Sequence, residues 1–392
     1  MTHDTDVLIV GAGIAGASIA AFLAPTHRVT IVEAESQPGY HSTGRSAAMF
    51  MESYGTPTIR ALTRASRAFY EAPPDGFAGT PLLAPRGALY VGTPAQRALL
   101  DALEAELRPH APSLRRLSAA EAVALVPALR ADQVDGAVLD PDAADIDVHA
   151  LHQGFLRRAK AFGATLVTDA RVSSLARHDG RWEAHSPAGG WRAPVVVDTA
   201  GAWADRLAAL AGLPPLGLQP KRRAAFTFAP PPGLETARWP CVCGVDEDEG
   251  WYFKPDAGVL LGSPANADPV APHDVRPEEL DIALGIARIE AVTTLMIRRP
   301  SHTWAGLRSF VPDGDLVAGF DPLAEGFFWC AAQGGYGIQT APAMGALCAS
   351  WIRGEPTPAA CSARQPMPIP RCRTTCGPRN STSRWASTGC RP

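Results

Sequence analysis

With 392 residues, 46% of them hydrophobic, and a net charge of −3, the chain is longer than one ordinary core and apolar enough to fill two intertwined domains. The lack of a basic excess argues against nucleic acid as a partner, which leaves small molecules as the natural ligands. The eight cysteines show no zinc-finger or CxxC spacing, and Cys241-Val242-Cys243 is only a CxC, so reduced structural thiols are expected.

The first element is the apolar run Asp6-Val7-Leu8-Ile9-Val10, which reads as a buried strand and is followed by Gly11, Gly13 and Gly16 at GxGxxG spacing. A second strand, Val29 to Val32, ends in Glu33, 22 residues after Gly11. Each part has a physical task in binding a dinucleotide. Gly11 permits a tight turn, Gly13 lets backbone approach a pyrophosphate, and Gly16 lets helix and strand pack closely. The helix start offers free N–H groups to phosphate, and Glu33 can accept a ribose hydroxyl. Val7 to Ala24 is also long and uncharged enough to resemble a membrane span, but its glycines and the preceding Asp4 and Asp6 oppose that reading. No integral membrane segment is expected. The expected location is the cytoplasm, with peripheral attachment to the inner membrane as a variant.

Helix signals follow. Thr56-Pro57 and Thr93-Pro94 each pair an N-cap residue with a first-turn proline, and Ser118 with Glu121 makes a capping box. Asp145 and Asp147 precede a predicted amphipathic helix from Val148 to Phe162, and Thr165-Leu166-Val167 then begins a strand. His149 and His152 lie three apart on that helix, but HExxH is absent and no third ligand is evident, so both read as part of a solvated face. No metal site is expected. Val195-Val196-Val197 is another buried strand running into a helix start.

From about Leu216 to Thr303 the pattern becomes strand-like, as in Ala225 to Phe228 and Trp251 to Lys254, with one long helix from Pro277 to about Thr294. This predicts a substrate domain with an antiparallel sheet. The chain then returns through Leu316 to Gly319 and Phe327 to Ala332, and a glycine-rich turn, Gln333 to Gly337, opens a last helix. Such a turn makes an anion nest. The expected domains are 1–85, 145–215 and 304–357 for the nucleotide, and 86–144 with 216–303 for the substrate. Cys361 to Pro392 holds six arginines with no lysine and no acid, and its loss would take the net charge from −3 to −9. It is expected to be a disordered basic tail, or a segment out of frame with the rest.

With these segments in place, residues 5 to about 355 resemble the FAD-dependent D-amino acid oxidase and dehydrogenase superfamily, and within it the D-arginine dehydrogenases most. The resemblance rests on the fingerprint and on Gln37-Pro38-Gly39-Tyr40-His41-Ser42-Thr43-Gly44-Arg45-Ser46-Ala47-Ala48, together with Leu218 to Arg223, Leu261 to Asp268 and Thr303 to Arg308. It implies an α/β fold with a glutathione-reductase-like FAD-binding Rossmann domain and a separate substrate domain, with non-covalent FAD as cofactor. It also implies contacts to FAD from Ala15, Glu33, Ala34, the run Ser42, Thr43, Gly44, Arg45, Ser46, Ala47 and Ala48, then Met49, Val172, and the stretch Gly334, Gly335, Tyr336, Gly337, Ile338 and Gln339. Arg223 and Arg308 would grip a substrate carboxylate, and Tyr54 and Tyr252 would close over the substrate.

The implied reaction is hydride transfer from Cα of a D-amino acid to flavin N5, giving an imino acid that hydrolyses to a 2-oxo acid and ammonia. The electron acceptor is unidentified, with a quinone as one candidate. Two departures bear on the substrate. Ala88 stands where the D-arginine enzymes have a glutamate, and Met49 stands where they have an active-site histidine. Losing the acid removes the partner of a buried cation, so a neutral or apolar side chain is expected. The alternatives are an amine oxidase like sarcosine or glycine oxidase and a non-enzymatic flavin-binding protein.

Overall fold

The computed structural model describes residues 2–246 and 250–357, and the atypical segment 361–392 lies outside the described residues. The four-residue, mostly apolar runs Val7–Val10, Val29–Val32 and Val195–Asp198 are too short for helices and almost wholly buried. They pair as the centre of a six-stranded sheet in the order Thr165–Val167, Val29–Val32, Val7–Val10, Val195–Asp198, Phe327–Ala331, Val317–Phe320. All neighbours are parallel except the last pair. Helices Ile14–Leu23, Val148–Ala161 and Gly337–Ile352 pack on one face, with the first lying against the other two. The opposite face carries Leu8, Val10, Val196 and Trp329, which pack with the sheet formed by Thr2–Asp4, Gly189–Ala193, Arg181–Ser186 and Ser174–His178. Among the described residues no helix is long and apolar enough to cross a membrane.

A second, larger sheet joins Asp268–Pro269, Gln219–Phe228, Val259–Ser263, Trp251–Asp256, Cys241–Gly244, Ala88–Gly92, Gly136–Asp140 and Arg115–Ser118, with His302–Phe310 on the far side of Gln219–Phe228. It is antiparallel apart from one parallel junction, Cys241–Gly244 with Ala88–Gly92. That junction closes two segments far apart in sequence into one sheet. His302–Phe310, which the sequence reading divides at residue 304, pairs along its whole length with Gln219–Phe228.

Period-two alternation gives the large sheet two distinct faces. Leu89, Val242, Phe253, Leu260 and Phe226 point to one side and form a core with helix Glu279–Val292. On the other side the register sets Tyr90 beside Cys243, Cys243 beside Tyr252 and Tyr252 beside Ser263. Arg223 and Arg308 share that side as diagonal neighbours, since Arg223 is opposite Gly306 and Arg308 is opposite Lys221.

Two polar networks tie the large sheet to neighbouring segments, one through Asp145 in the short strand Ala144–Ile146 and one through Arg45 in the turn Thr43–Arg45. Asp145 accepts from Lys254 Nζ (2.7 Å) and Arg86 Nε (2.6 Å), and Arg45 donates to the carbonyls of Val275 (3.0 Å) and Ala305 (3.1 Å). The helix signals appear as Pro57–Glu71 capped by Thr56, a single 3-10 turn Pro94–Gln96 leading into Arg97–Leu107, and Ala119–Leu125 with its Ser118–Glu121 capping box.

Candidate active site

A cavity of about 350 Å³ opens at the C-terminal ends of the parallel strands, where Gly11, Glu33, Thr199 and Ala332 follow four of them. This is where an open α/β sheet binds ligands. The turn after Val10 owes its shape to glycine. Gly11 has φ +107 and a Cβ there would stand 2.5 Å from the Thr199 carbonyl oxygen, while one on Gly16 would stand 2.0 Å from the Gly11 oxygen. Side chains hold the same turn from several directions. Glu33 accepts the Ala12 N–H (2.7 Å) and the Glu35 N–H (3.0 Å), one on each carboxylate oxygen, which leaves lone pairs free for hydroxyl donors. Thr43 Oγ1 accepts the Ile14 N–H (3.0 Å), and Thr199 Oγ1 donates to the carbonyls of Val10 and Gly11. Among the described residues the Gly13 and Ala15 N–H groups have no acceptor, and both residues line the cavity. A cradle with free amide donors at a helix N-terminus and a carboxylate at the second strand fits an adenine dinucleotide.

A second cavity of about 100 Å³ adjoins the first through Ile14, Ser42, Thr43 and Gly334. Arg223, Tyr252 and Arg308 form one wall, and Gly335, Gly337 and Ile338 at the start of helix Gly337–Ile352 form another. Arg308 packs on Gly335, where a Cβ would stand 3.0 Å from Nη1, and lies beside the phenols of Tyr54, Tyr252 and Tyr336. Arg223 Nε donates to the Asn266 carbonyl (2.6 Å). Among the described residues no carboxylate ion-pairs with either guanidinium. Burial, then the charge of Arg308, pushes Arg223 down to about 10, so both remain cationic at neutral pH.

Asn266 organises this wall. Buried, it accepts the Ala224 N–H on Oδ1 (2.8 Å) and donates through Nδ2 to Asp268 and Asp281, which in turn pair with Arg222. The consecutive arginines thus face opposite ways, Arg222 into an acidic cluster and Arg223 into the cavity.

Of the residues singled out from sequence, Gly11, Gly13, Ala15, Glu33, Ala34, Ser42, Thr43, Val172 and Gly334 line the first cavity. Arg45, Ser46, Ala47, Arg223, Tyr252, Arg308, Gly335, Gly337 and Ile338 line the second. Others lie behind these walls. Gly16 packs beneath the turn, and the Gly44 N–H bonds to the Gly39 carbonyl. Ala48 holds a strained φ of +33 next to the short strand Met49–Phe50. Gln339 is turned inward, accepting from the Met51 N–H (3.3 Å) and donating to Thr63 (2.9 Å), so its amide braces helices instead of lining a cavity. Tyr336 stacks obliquely on Tyr54 with ring centres 5.0 Å apart. Met49, Tyr54, Tyr90, Met51, Ala88 and Ala143 form one apolar cluster beside the second cavity.

One expectation is corrected. His152 is not on a solvated face but only 4% exposed, with Nε2 2.8 Å from the Ala12 carbonyl. The signal was the helical period, which places it with Leu151, Phe155 and Ala159 on the buried side. Asn266 and Tyr90 also escaped the sequence reading as site residues, because each depends on strand pairing across long sequence separations.

The comparisons with known proteins agree with this geometry. Glycine oxidase from Geobacillus kaustophilus is 27% identical, over 91% of this chain and 95% of its own. The crystal structure of iminodiacetate oxidase from Chelativorans sp. BNC1 is 28% identical, with a TM-score of 0.76 over 90% of this chain and 96% of that one. L-α-glycerophosphate oxidase from Mycoplasma pneumoniae, solved with FAD bound, shares the fold with a TM-score of 0.81 over 90% and 95% of the two chains at 18% identity. The model of the FAD dependent oxidoreductase family matches residues 6–351. A match of that length, over the glycine-rich cradle and the cavity beside it, makes the chain a member of the DAO family of FAD-dependent oxidoreductases, with FAD as its cofactor.

Proposed function

We propose that the protein oxidises D-α-amino acids with neutral or apolar side chains, as a dehydrogenase using non-covalently bound FAD. The carrying observation is the pair of cavity-facing guanidinium groups, Arg223 and Arg308, without a carboxylate partner. Buried charge without a counter-ion is expensive, and a substrate carboxylate supplies the missing anion with bidentate geometry. Held at two points on adjacent strands, the carboxylate fixes the direction of Cα–H, and Tyr54 and Tyr252 cover it and exclude water. The paired positive charge also favours the neutral form of the nearby amine, the form that can release hydride from Cα. No carboxylate or imidazole is among the described residues lining this cavity, so the amine gives up its proton to solvent before the tyrosines close over it. Bound FAD supplies the hydride acceptor. The start of helix Gly337–Ile352 at the cavity wall adds positive potential where negative charge accumulates.

The D configuration is supported by the sequence resemblance. The neutral side chain is supported by Met49 and Ala88 meeting Tyr54 and Tyr90 in one apolar cluster. Asp140, cross-strand from Ala88, is already bonded to Ser53 Oγ (2.7 Å) and the Asp142 N–H, and burial raises its pKa, so it offers no ready anionic partner to a cationic side chain. A second reading, oxidation of glycine-sized amines, is favoured by the small volume of about 100 Å³ beside the arginines.

Anaerobic mixing of the holoprotein with D- and L-methionine, leucine, phenylalanine and arginine, and with glycine, sarcosine and iminodiacetate, tests both by loss of flavin absorbance. Fast bleaching by neutral D-amino acids is expected. A clear preference for D-arginine or for L-amino acids overturns the reading, bleaching only by the small amines selects the second, and no bleaching by any compound leaves a flavin-binding protein without this activity.

A further inference from the structure

We infer that His152 is a positioning residue for the FAD diphosphate, acting through the peptide between Ala12 and Gly13. A backbone carbonyl can only accept, so the 2.8 Å contact fixes the tautomer with hydrogen on Nε2, donating to the Ala12 oxygen. In a planar trans peptide the C=O and the following N–H point in opposite directions. Holding the Ala12 carbonyl toward His152 therefore aims the Gly13 N–H the other way, and Gly13 lines the cavity with no protein acceptor among the described residues. The Ala12 N–H is meanwhile held by Glu33, so the peptides on both sides of Ala12 are fixed.

The same imidazole also touches the second segment of the cradle. A Cβ on Gly39, whose φ is +78, would stand 2.9 Å from His152 Cε1, and the Gly39 carbonyl accepts the Gly44 N–H within the stretch that carries Ser42 and Thr43. Thr43 in turn takes the Ile14 N–H at the helix start. One buried ring from helix Val148–Ala161 thus locks together the glycine-rich turn and the 39–44 segment, the two parts of the chain that flank the diphosphate donors. None of this needs His152 to touch the cofactor. Its role is to prevent the 12–13 peptide from rotating its donor out of the cavity.

The test is binding to apoprotein. His152→Phe keeps the ring and loses the donor, and His152→Gln keeps a donor that can reach the Ala12 carbonyl. His152→Phe is expected to weaken FAD about tenfold or more, the scale of one hydrogen bond to a charged group, and ADP by a similar factor, with adenosine unchanged and His152→Gln close to wild type. Gly39→Ala, which drives a methyl into the ring, should reproduce the loss and serves if His152→Phe does not fold. Wild-type affinity in a folded His152→Phe or in Gly39→Ala overturns the inference. So does an equal loss for ADP and adenosine, or a His152→Gln as weak as His152→Phe.

Discussion

Asp198 offers a sharp test of the physics of the nucleotide-binding sheet. It ends the central strand Val195–Asp198, is fully buried, and bonds the Ala200 N–H through Oδ1 (3.0 Å), while Oδ2 has no partner. Burial is the main cause that raises its pKa from 3.8 to about 8, with Asp205 adding and the Ala200 N–H opposing. A carboxyl whose folded pKa lies above its unfolded one favours folding fully only below the unfolded value, and that contribution is lost as pH rises through the folded value. The window is therefore from about pH 4 to about pH 8. At 1.36 kcal/mol per unit, the loss is about 4 kcal/mol at pH 7 and approaches roughly 6 above pH 8, a large part of a typical domain's stability.

Asp198→Asn keeps the shape and the Ala200 contact but cannot ionise. Urea unfolding at saturating FAD should find it within about 2 kcal/mol of wild type at pH 5 and several kcal/mol more stable at pH 8. Parallel stability curves for the two proteins between pH 5 and pH 8 would refute the reasoning.

Other outcomes follow from the site and its supports. Arg308→Met removes one of the two guanidiniums proposed to hold the substrate carboxylate and should lower kcat/KM for the best amino acid by roughly 100-fold or more, mostly through KM, with FAD content unchanged. Steady-state kinetics with flavin quantification checks it. Asp145→Ala strands the buried Lys254, whose side chain is 5% exposed, and leaves Arg86 without its carboxylate. That should cost about 3–5 kcal/mol in denaturant unfolding, with Asp145→Asn intermediate because it still accepts hydrogen bonds.

What the sequence disclosed divides along a physical line. The turn at Gly11, the acid at Glu33 and the capping box at Ser118 are local patterns, set by glycine φ values, strand length and hydrogen bonds over a few residues, and the folded chain carries them where their spacing placed them. Arg223 and Arg308 lie far apart in sequence, and only the register of Gln219–Phe228 on His302–Phe310 makes them neighbours. Family likeness pointed to them, while local pattern could not. Arg45 and Gln339 show the converse. The likeness named both residues but not where their polar ends point: Arg45 lines the second cavity while donating to the Val275 and Ala305 carbonyls, and the Gln339 amide bonds Met51 and Thr63. A side chain's direction depends on which orphaned backbone groups lie within reach, and those are defined only after the sheets have met.

The row Ser263, Tyr252, Cys243, Tyr90 places one side chain per strand, and strands are spaced about 4.8 Å apart. On the function proposed above, with a substrate carboxylate held at the two arginines, this row would act as a ruler for the rest of the substrate, starting from Tyr252 in the cavity wall. Ser263 lies on the strand next to Arg223, Tyr252 one strand beyond it, and Cys243 and Tyr90 one and two strands farther still. Chain-length selectivity can then be retuned one graduation at a time, by enlarging or trimming a single side chain, while Phe253, Val242 and Leu89 on the reverse of the same strands keep the sheet seated on its helix.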